Sequence, residues 1–371
     1  MAAVLLLLGL SAACGTDDDP PGAAAAPAPA APSSTAPASA GGVARGPVSF
    51  TQPQQVATGL EAPWGVAFLP GGDALVSERD TARILRLPAG GGRPQQVAEV
   101  KGVRSDGEGG LLGLAVAPSF DQDGLVYAYY TAERDNRVVR FPLDDPADVE
   151  VLVDGIDRSS IHNGGRIAFG PDGMLYASTG DASDRGESQD PDDLNGKILR
   201  MTPDGSVPAD NPTAGSLVWS LGHRNVQGLA WDADGRMYAS EFGQNTFDEL
   251  NLIEPGNNYG WPEVEGRGDT RGGRFTDPLL TWDPAEASPS GIAVVGDELY
   301  VAALRGRRVW DVPLDGRGGV GAPVARLEGE LGRVRTVAAA PDGGLWVLTS
   351  NRDGRGSPRE GDDRVLHFGA A

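Results

Sequence analysis

Five side chains suited to proton transfer or anion binding lie at similar distances before short apolar segments. They are Glu108, His162, Arg224, Asn225 and Arg333, and each lies three to five residues before the same point of a recurring segment. An imidazole can act as a general base near neutral pH, and guanidinium groups bind carboxylates through paired hydrogen bonds. Each residue alone would more commonly have a structural role. Their shared position favours one small-molecule site, with His162 as the base and the arginines binding a multiply anionic ligand.

The segments that must position these side chains recur six times. They span residues 64–68, 112–116, 165–169, 227–231, 290–294 and 335–339, and each contains an aliphatic residue followed by alanine. A turn, a second apolar segment, a variable loop and a third apolar segment follow in every copy. Six units of at least three strands predict an all-β protein, a six-bladed β-propeller, with residues 50–60 closing the ring against the last blade. A pair of β-sandwiches does not explain six copies in one register.

In such a ring, the loops that precede the first strands share one face with the loops that join second and third strands. The five side chains would therefore meet at one mouth of the central channel. The small alanine of each first strand suits the crowded wall of that channel.

The charge of the chain limits its ligands. There are 31 basic and 52 acidic residues, which gives a formal net charge of -21. This charge repels nucleic acid and anionic lipid headgroups, so neither is an expected partner.

The N-terminal segment predicts export. Cys14 is the only cysteine and follows an apolar run that ends in small residues, as in a lipoprotein signal peptide. The run is shorter than the roughly 20 residues that a membrane-spanning helix needs. We therefore expect a signal peptide at residues 1–14, a Pro/Ala-rich tether at 15–46 and the folded domain at 47–371. The protein would be held by lipid at the outer face of the cytoplasmic membrane or in the periplasm. A chance apolar N-terminus is the alternative, because residues 1–4 contain no Lys or Arg.

The fourth repeat departs from the others where its third strand begins. Glu249 stands there, whereas the other five copies have a basic residue, namely Arg83, Arg137, Lys197, Arg308 and Arg364. Residues 241–249 and 257–261, on either side of this strand, are rich in oxygen donors, and calcium takes about six to eight oxygen ligands. A cation site is one interpretation, and a buried Glu–Arg pair is the other.

Four motifs carry a family resemblance. HNGGRIAFGPDGMLYASTGD (162–181), GKILRMTPDGSVPADNP (196–212), GHRNVQGLAWD (222–232) and EFGQNTFDELNLIEPGNNYGWP (241–262) closely resemble the soluble quinoprotein glucose/aldose sugar dehydrogenases. The resemblance extends from about Gly59 to Phe368. It implies a propeller that holds pyrroloquinoline quinone and oxidises an aldose at C1 to a lactone. His162 would take the C1 hydroxyl proton while hydride passes to the quinone C5. Arg224 would polarise the C5 carbonyl, with Asn225 beside it, and an unidentified electron acceptor would complete the cycle.

The resemblance also implies two calcium ions. One would bind the cofactor and rest on the backbone carbonyls of Gly243 and Gln244. A second, structural ion would use the positions of Glu249, Tyr259 and Asp269.

The resemblance implies further cofactor contacts, and at some of these positions this chain has a different residue type from the family. Arg333 and Arg335 match a pair that binds the cofactor carboxylates, and Arg305 stands where the family usually has lysine. Glu108 replaces a glutamine, so its negative charge needs compensation by arginine or calcium if an anionic quinone is to bind. Ile161 replaces the aspartate of the glucose enzymes, and the short loops suggest broad sugar specificity.

Two other functions are compatible with a propeller. A calcium-dependent lactonase would hold a metal in the channel with side-chain carboxylates, whereas this chain places Arg and His at the mouth. A non-catalytic sugar-binding propeller would be excluded only by a working His162, Arg224 and a tightly bound quinone.

Overall fold

The computed structural model describes residues 47–268 and 270–371. The expected signal peptide, Cys14, the tether and the expected calcium ligand Asp269 lie outside the described residues. The strands are β1 (Gln54–Thr58), β2 (Pro63–Phe68), β3 (Ala74–Glu78), β4 (Arg83–Leu87), β5 (Gln95–Glu99), β6 (Leu111–Val116), β7 (Leu125–Thr131), β8 (Asn136–Pro142), β9 (Glu150–Ile156), β10 (Ile167–Phe169), β11 (Leu175–Ser178), β12 (Lys197–Met201), β13 (Val218–Leu221), β14 (Val226–Trp231), β15 (Met237–Glu241), β16 (Asp248–Ile253), β17 (Leu280–Trp282), β18 (Pro289–Val295), β19 (Glu298–Ala303), β20 (Arg308–Pro313), β21 (Val324–Arg326), β22 (Val334–Ala339), β23 (Leu345–Thr349) and β24 (Arg364–Phe368).

These strands form six four-stranded antiparallel sheets. Blades one to five are β2–β5, β6–β9, β10–β13, β14–β17 and β18–β21, and the sixth has the order β1-β24-β23-β22. The N-terminal strand β1 pairs with the C-terminal strand β24, so the two ends of the folded ring are joined by one ladder. The prediction of a six-bladed β-propeller closed by residues 50–60 is confirmed.

Small residues allow the inner strands to surround a narrow channel. A central cavity of ≈ 440 Å³ is lined by five of the six repeat alanines, Ala67, Ala168, Ala230, Ala293 and Ala338. Neighbouring inner strands approach each other at glycines. A Cβ on Gly113 would lie 2.3 Å from the Gly165 carbonyl oxygen, and one on Gly228 would lie 2.3 Å from that of Ser290. Only glycine permits this spacing between blades.

Serines of the second strands link adjacent blades. Ser77 accepts a hydrogen bond from the Gly65 amide of its own blade and donates to the Leu112 carbonyl of the next. Ser178 and Ser240 donate to the next blade in the same way. Because these groups are buried, each bond satisfies a carbonyl that water could not reach. The linkage fixes the level at which each blade presents its upper loops.

Helical structure is sparse in the described residues. There is one short α-helix, α1 (Phe120–Asp123), and one 3-10 turn (Glu187–Gln189). Within residues 47–268 and 270–371, no helix has the length and apolar character needed to cross a membrane.

Candidate active site

One cavity at the upper channel mouth, which we call the inner cavity, gathers the residues expected to contact the cofactor. It has a volume of ≈ 310 Å³ and includes Glu108, His162, Arg224, Asn225, Arg305, Arg333 and Arg335. All but two of these precede the first strand of a blade. Arg305 belongs to the β19–β20 loop, and Arg335 lies in β22. Ile161 and Gly243 also line this cavity.

His162 is held from both its backbone and its ring. Its φ of 60° is in the left-handed region, and its carbonyl lies so close to Gly180 that a Cβ there would be 1.9 Å away. The backbone N–H donates to Glu108 Oε2 at 3.0 Å. The ring Nδ1 lies 2.7 Å from Asp181 Oδ1. The ring therefore has one orientation, with the Nδ1 edge toward protein.

Asp181 is itself positioned by two further donors. The Ser183 amide donates to Oδ1 at 2.9 Å, and the Trp261 indole Nε1–H donates to Oδ2 at 2.9 Å. Burial favours the neutral acid, but the bonds from His162, Ser183 and Trp261 outweigh it and hold the pKa of Asp181 below its usual value. An ionised Asp181 accepts a hydrogen bond from Nδ1–H, which leaves the lone pair of the imidazole on Nε2.

The charge of Glu108 is compensated by an arginine that the sequence did not indicate. Arg355 Nη1 donates to Glu108 Oε1 at 2.6 Å, while Oε2 accepts the His162 amide. Burial opposes ionisation of Glu108, but the His162 amide and Arg355 keep its pKa below the usual value. Glu108 thus contributes a paired carboxylate, and the ion pair adds no net charge to the cavity.

Two of the cavity arginines share a buried carboxylate. Arg333 binds Asp353 Oδ2 through Nε and Nη2, at 2.9 and 2.8 Å. Arg335 Nη2 lies 3.5 Å from the same oxygen, and its Nη1 donates to Gln227 Oε1 at 2.8 Å. Burial lowers the pKa of Arg335 to about 9 although Asp353 opposes the shift. One carboxylate therefore compensates for two cations.

A further arginine lies beneath this pair in the channel. Arg166 donates to the Gln227 carbonyl at 2.8 Å and to Thr336 Oγ1 at 3.2 Å, and its guanidinium stacks 4.1 Å from the Trp64 ring. Burial, with Arg335 nearby, lowers the pKa of Arg166 to about 9. Both groups remain cationic at neutral pH in a poorly solvated channel. A bound anion would relieve their mutual repulsion.

Unsatisfied donors at the cavity indicate the same ligand chemistry. Among the described residues, the buried Nε atoms of Arg224 and Arg335 have no hydrogen-bond partner. Buried cationic donors without acceptors are costly. The residues present therefore fit a multiply anionic molecule such as a tricarboxylated quinone.

The loop after β15 directs backbone oxygens toward positive charge. Arg224 Nη1 donates to the Phe242 and Gly243 carbonyls, at 3.1 and 2.6 Å. Below them, Glu265 Oε1 accepts the Gln244 amide at 2.7 Å and three more amides of residues 245–247. This donor set of carbonyls in an acidic surrounding suits a hard cation such as calcium.

Glu249 lies outside the inner cavity, opposite another carboxylate. It pairs across the ladder with Glu241. Burial and the Glu241 charge raise the pKa of Glu249 to about 8. In residues 47–268 and 270–371, its hydrogen-bond donors are the Gly266 amide and Asn251 Nδ2, so the alternative of a Glu–Arg pair is wrong. Buried Asn251 Oδ1 has no donor among these residues.

The surroundings of Glu249 supply few further side-chain ligands. The Tyr259 hydroxyl donates to the Leu252 carbonyl at 2.6 Å, so only its backbone is left to face a cation. Across the described part of the chain, no cluster of three His, Cys, Asp or Glu side chains could hold a metal. Calcium at either position therefore stays a prediction.

His223 has a supporting role, as its sequence position suggested. It is fully buried, with Nδ1 2.8 Å from Glu241 Oε2 and Nε2 2.9 Å from Ser220 Oγ. Both ring nitrogens are engaged, so His223 is unsuited to be the base.

The residues missed by sequence reasoning position the predicted ones. Asp181 and Trp261 fix His162, Arg355 compensates Glu108, and Asp353 neutralises Arg333. Asp181 could have been found, because it ends the HNGGR…STGD motif in a second-to-third-strand loop on the same face.

Comparison with known proteins agrees with this geometry. Residues 60–357 match the family model described as glucose/sorbosone dehydrogenase. The structure of a PQQ-bound aldose sugar dehydrogenase from Streptomyces coelicolor has 53% sequence identity and a TM-score of 0.84, covering 88% of this chain and 99% of that one. An aldose sugar dehydrogenase of Escherichia coli is 29% identical over 333 residues, which are 80% of this chain and 89% of that protein. Quinoprotein glucose dehydrogenase B of Acinetobacter calcoaceticus is 33% identical over 258 residues, 58% and 53% of the two chains. The chain belongs to the glucose/sorbosone dehydrogenase family.

Proposed function

We propose that this protein oxidises aldose sugars at C1 to lactones, using pyrroloquinoline quinone and calcium, with His162 as the general base. The observation that carries the proposal is the His162–Asp181 pair at a cavity lined by five arginines. The relatives named as quinoprotein and PQQ-bound sugar dehydrogenases support the same cofactor and substrate class.

His162 would accept the proton of the C1 hydroxyl through Nε2. Asp181 accepts a hydrogen bond from Nδ1–H and would stabilise the imidazolium that forms, as a carboxylate does when it orients a histidine general base. The backbone bond to Glu108 and the left-handed φ fix the position of the ring in the cavity wall. Ile161, beside the base, gives the sugar an apolar rather than an acidic neighbour.

Pyrroloquinoline quinone, when bound, supplies the two-electron acceptor, and calcium assists by drawing charge toward its oxygens. Arg333, Arg335 and Arg305 would bind its carboxylates, and Arg224 with Asn225 would face the carbonyl that accepts electrons. The Gly243 and Gln244 carbonyls would hold the cofactor calcium, and Glu249 with the Tyr259 backbone would serve the structural ion.

The test is reconstitution of purified apoprotein. Quinone and calcium are added separately and together, and dye reduction is followed with a panel of aldoses. Activity should require both additions, and the lactone should form in step with dye reduction. Undiminished turnover in quinone-free protein after exhaustive chelation would contradict the assignment, as would lactone hydrolysis without any oxidation.

A further inference from the structure

A second cavity adjoins the inner cavity on the face that carries the active site. This outer cavity has a volume of ≈ 470 Å³ and lies between the β19–β20 loop, the segment before β22 and the β23–β24 loop. It shares with the inner cavity the residues Leu304, Arg305, Arg333 and Arg355. A molecule in the outer cavity would therefore be adjacent to the cofactor.

The outer cavity is strongly cationic in a protein of net charge -21. Arg307 and Arg359 line it in addition to the three shared arginines. Arg333 and Arg355 are paired with Asp353 and Glu108. By contrast, Arg305, Arg307 and Arg359 form no ion pair within residues 47–268 and 270–371. Arg305 also lines the inner cavity and is assigned to the cofactor carboxylates, so Arg307 and Arg359 leave two positive charges for a second ligand.

Arg307 is held at a cost to its backbone. Its φ of 50° lies in the left-handed region that favours glycine, and the side chain is exposed. Neither burial nor an ion pair offsets the backbone strain of an arginine at this position. Backbone strain of this kind clusters at ligand-binding sites, and here it coincides with an unpaired charge at a cavity edge.

The sugar undergoing oxidation does not account for this cavity. His162, Arg224 and Asn225 line the inner cavity alone. The C1 hydroxyl must reach His162, so the reacting sugar lies on that side. The other molecule that turnover requires is the one that takes electrons from the reduced cofactor.

Resting on the proposed function, we infer that the outer cavity binds a small, multiply anionic oxidant that regenerates the cofactor. Each cycle removes two electrons and two protons from the sugar. Two one-electron acceptors would take these electrons, one each, and the two protons would leave to solvent. Arg307 and Arg359 bind the anion at the edge of the cofactor site, beside Arg305.

The experiment compares two octahedral acceptors of opposite charge, ferricyanide and hexaammineruthenium(III), in steady-state turnover of the reconstituted holoenzyme. The variant Arg307→Gln/Arg359→Gln removes charge from the outer cavity alone. We expect the KM for ferricyanide to rise about tenfold or more, the size of one lost charge-assisted contact. The KM for hexaammineruthenium(III) should not rise. Arg307→Lys should keep the ferricyanide KM close to its original value, because it retains the charge.

The matched control is Arg93→Gln/Arg317→Gln, which also removes two charges, and Arg93 is exposed in the β4–β5 loop on the opposite face. Arg317 is exposed in the β20–β21 loop on the opposite face, so its replacement changes net charge without touching the mouth. An equal effect of the double variant on both acceptors, or no effect on either, would overturn the inference. Loss of quinone affinity in the double variant would also overturn it, because the cavity would then belong to the cofactor. Sugar-driven reduction of the cofactor without acceptor, followed by absorbance, is measured separately, and its absence would instead refute the proposed function.

Discussion

Replacing Asp181 with asparagine tests how the proposed base is oriented. Asp181 accepts on both oxygens, from His162 and the Ser183 amide on Oδ1 and from the Trp261 indole on Oδ2. An amide has only one accepting atom. If its oxygen faces His162, its NH₂ group opposes the indole N–H. If the amide turns round, its NH₂ group faces Nδ1, and the proton of the neutral imidazole moves to Nε2. Nε2 then has no lone pair with which to accept the substrate proton.

The expected loss follows from the role of the base. General base catalysis contributes about 10²–10⁴-fold to rate, which corresponds to about 3 to 5 kcal/mol of transition-state stabilisation. We expect Asp181→Asn to lower kcat within this range while quinone affinity, measured by titration, stays unchanged. Asp204→Asn, the same change in an exposed turn, serves as the control.

A double variant tests whether the Trp261 indole N–H causes this loss. Trp261→Phe removes the opposing indole N–H and keeps an aromatic ring near Arg224. In this background the asparagine oxygen is free to face His162 and restore the productive tautomer. Asp181→Asn/Trp261→Phe should therefore turn over faster than Asp181→Asn alone. If the double variant is slower, or if Asp181→Asn retains its full rate, the orienting role assigned to Asp181 is refuted.

Four further outcomes are expected. His162→Gln should reduce turnover by about 10²–10⁴-fold with the quinone still bound, and near-normal turnover would mean that another group is the base. Calcium should raise the Tm of the unmodified protein but raise it less in Glu249→Gln, and an equal gain in both would remove Glu249 from the ion site. Burial and the neighbouring Asp311 raise the pKa of Glu298 from its ordinary 4.5 to about 7. The folded state therefore loses stability as pH rises through this interval, and Glu298→Gln should raise Tm at pH ~8 but leave it unchanged at pH ~4. Cys14→Ser should release the protein from membranes or block its processing, and a wild type with an unmodified N-terminus would contradict the lipoprotein prediction.

The fold could be predicted because six segments of the chain repeat one apolar pattern in one register. First, second and third strands are largely buried, so their sequences keep apolar periodicity. The fourth strands of blades one to five were not identified. β5 (Gln95–Glu99) and β21 (Val324–Arg326), for example, are mostly exposed, and exposed edge positions place few demands on residue type. Pairing with the third strand, not local sequence, forms them.

The site could be predicted only where topology brings residues to one level. Glu108, His162 and Arg333 precede equivalent strands, so the repeat itself placed them at one mouth. The groups that tune them come from elsewhere in the chain. Trp261 is 80 residues from Asp181, and Arg355 is 247 residues from Glu108. No local pattern connects such pairs, because each contact joins loops of different blades.

The departure at Glu108 illustrates how an acidic protein can keep a cationic mouth. From the sequence, a carboxylate at this position is expected to repel an anionic cofactor, and the net charge of -21 is expected to add to that repulsion. In the structure Glu108 is paired with Arg355, and Asp353 with Arg333. These carboxylates hold their arginines in place and leave little free negative charge at the mouth. The local potential at the mouth is then set mainly by the arginines without carboxylate partners. The substitution of Glu108 is therefore compatible with an anionic ligand provided that Arg355 accompanies it.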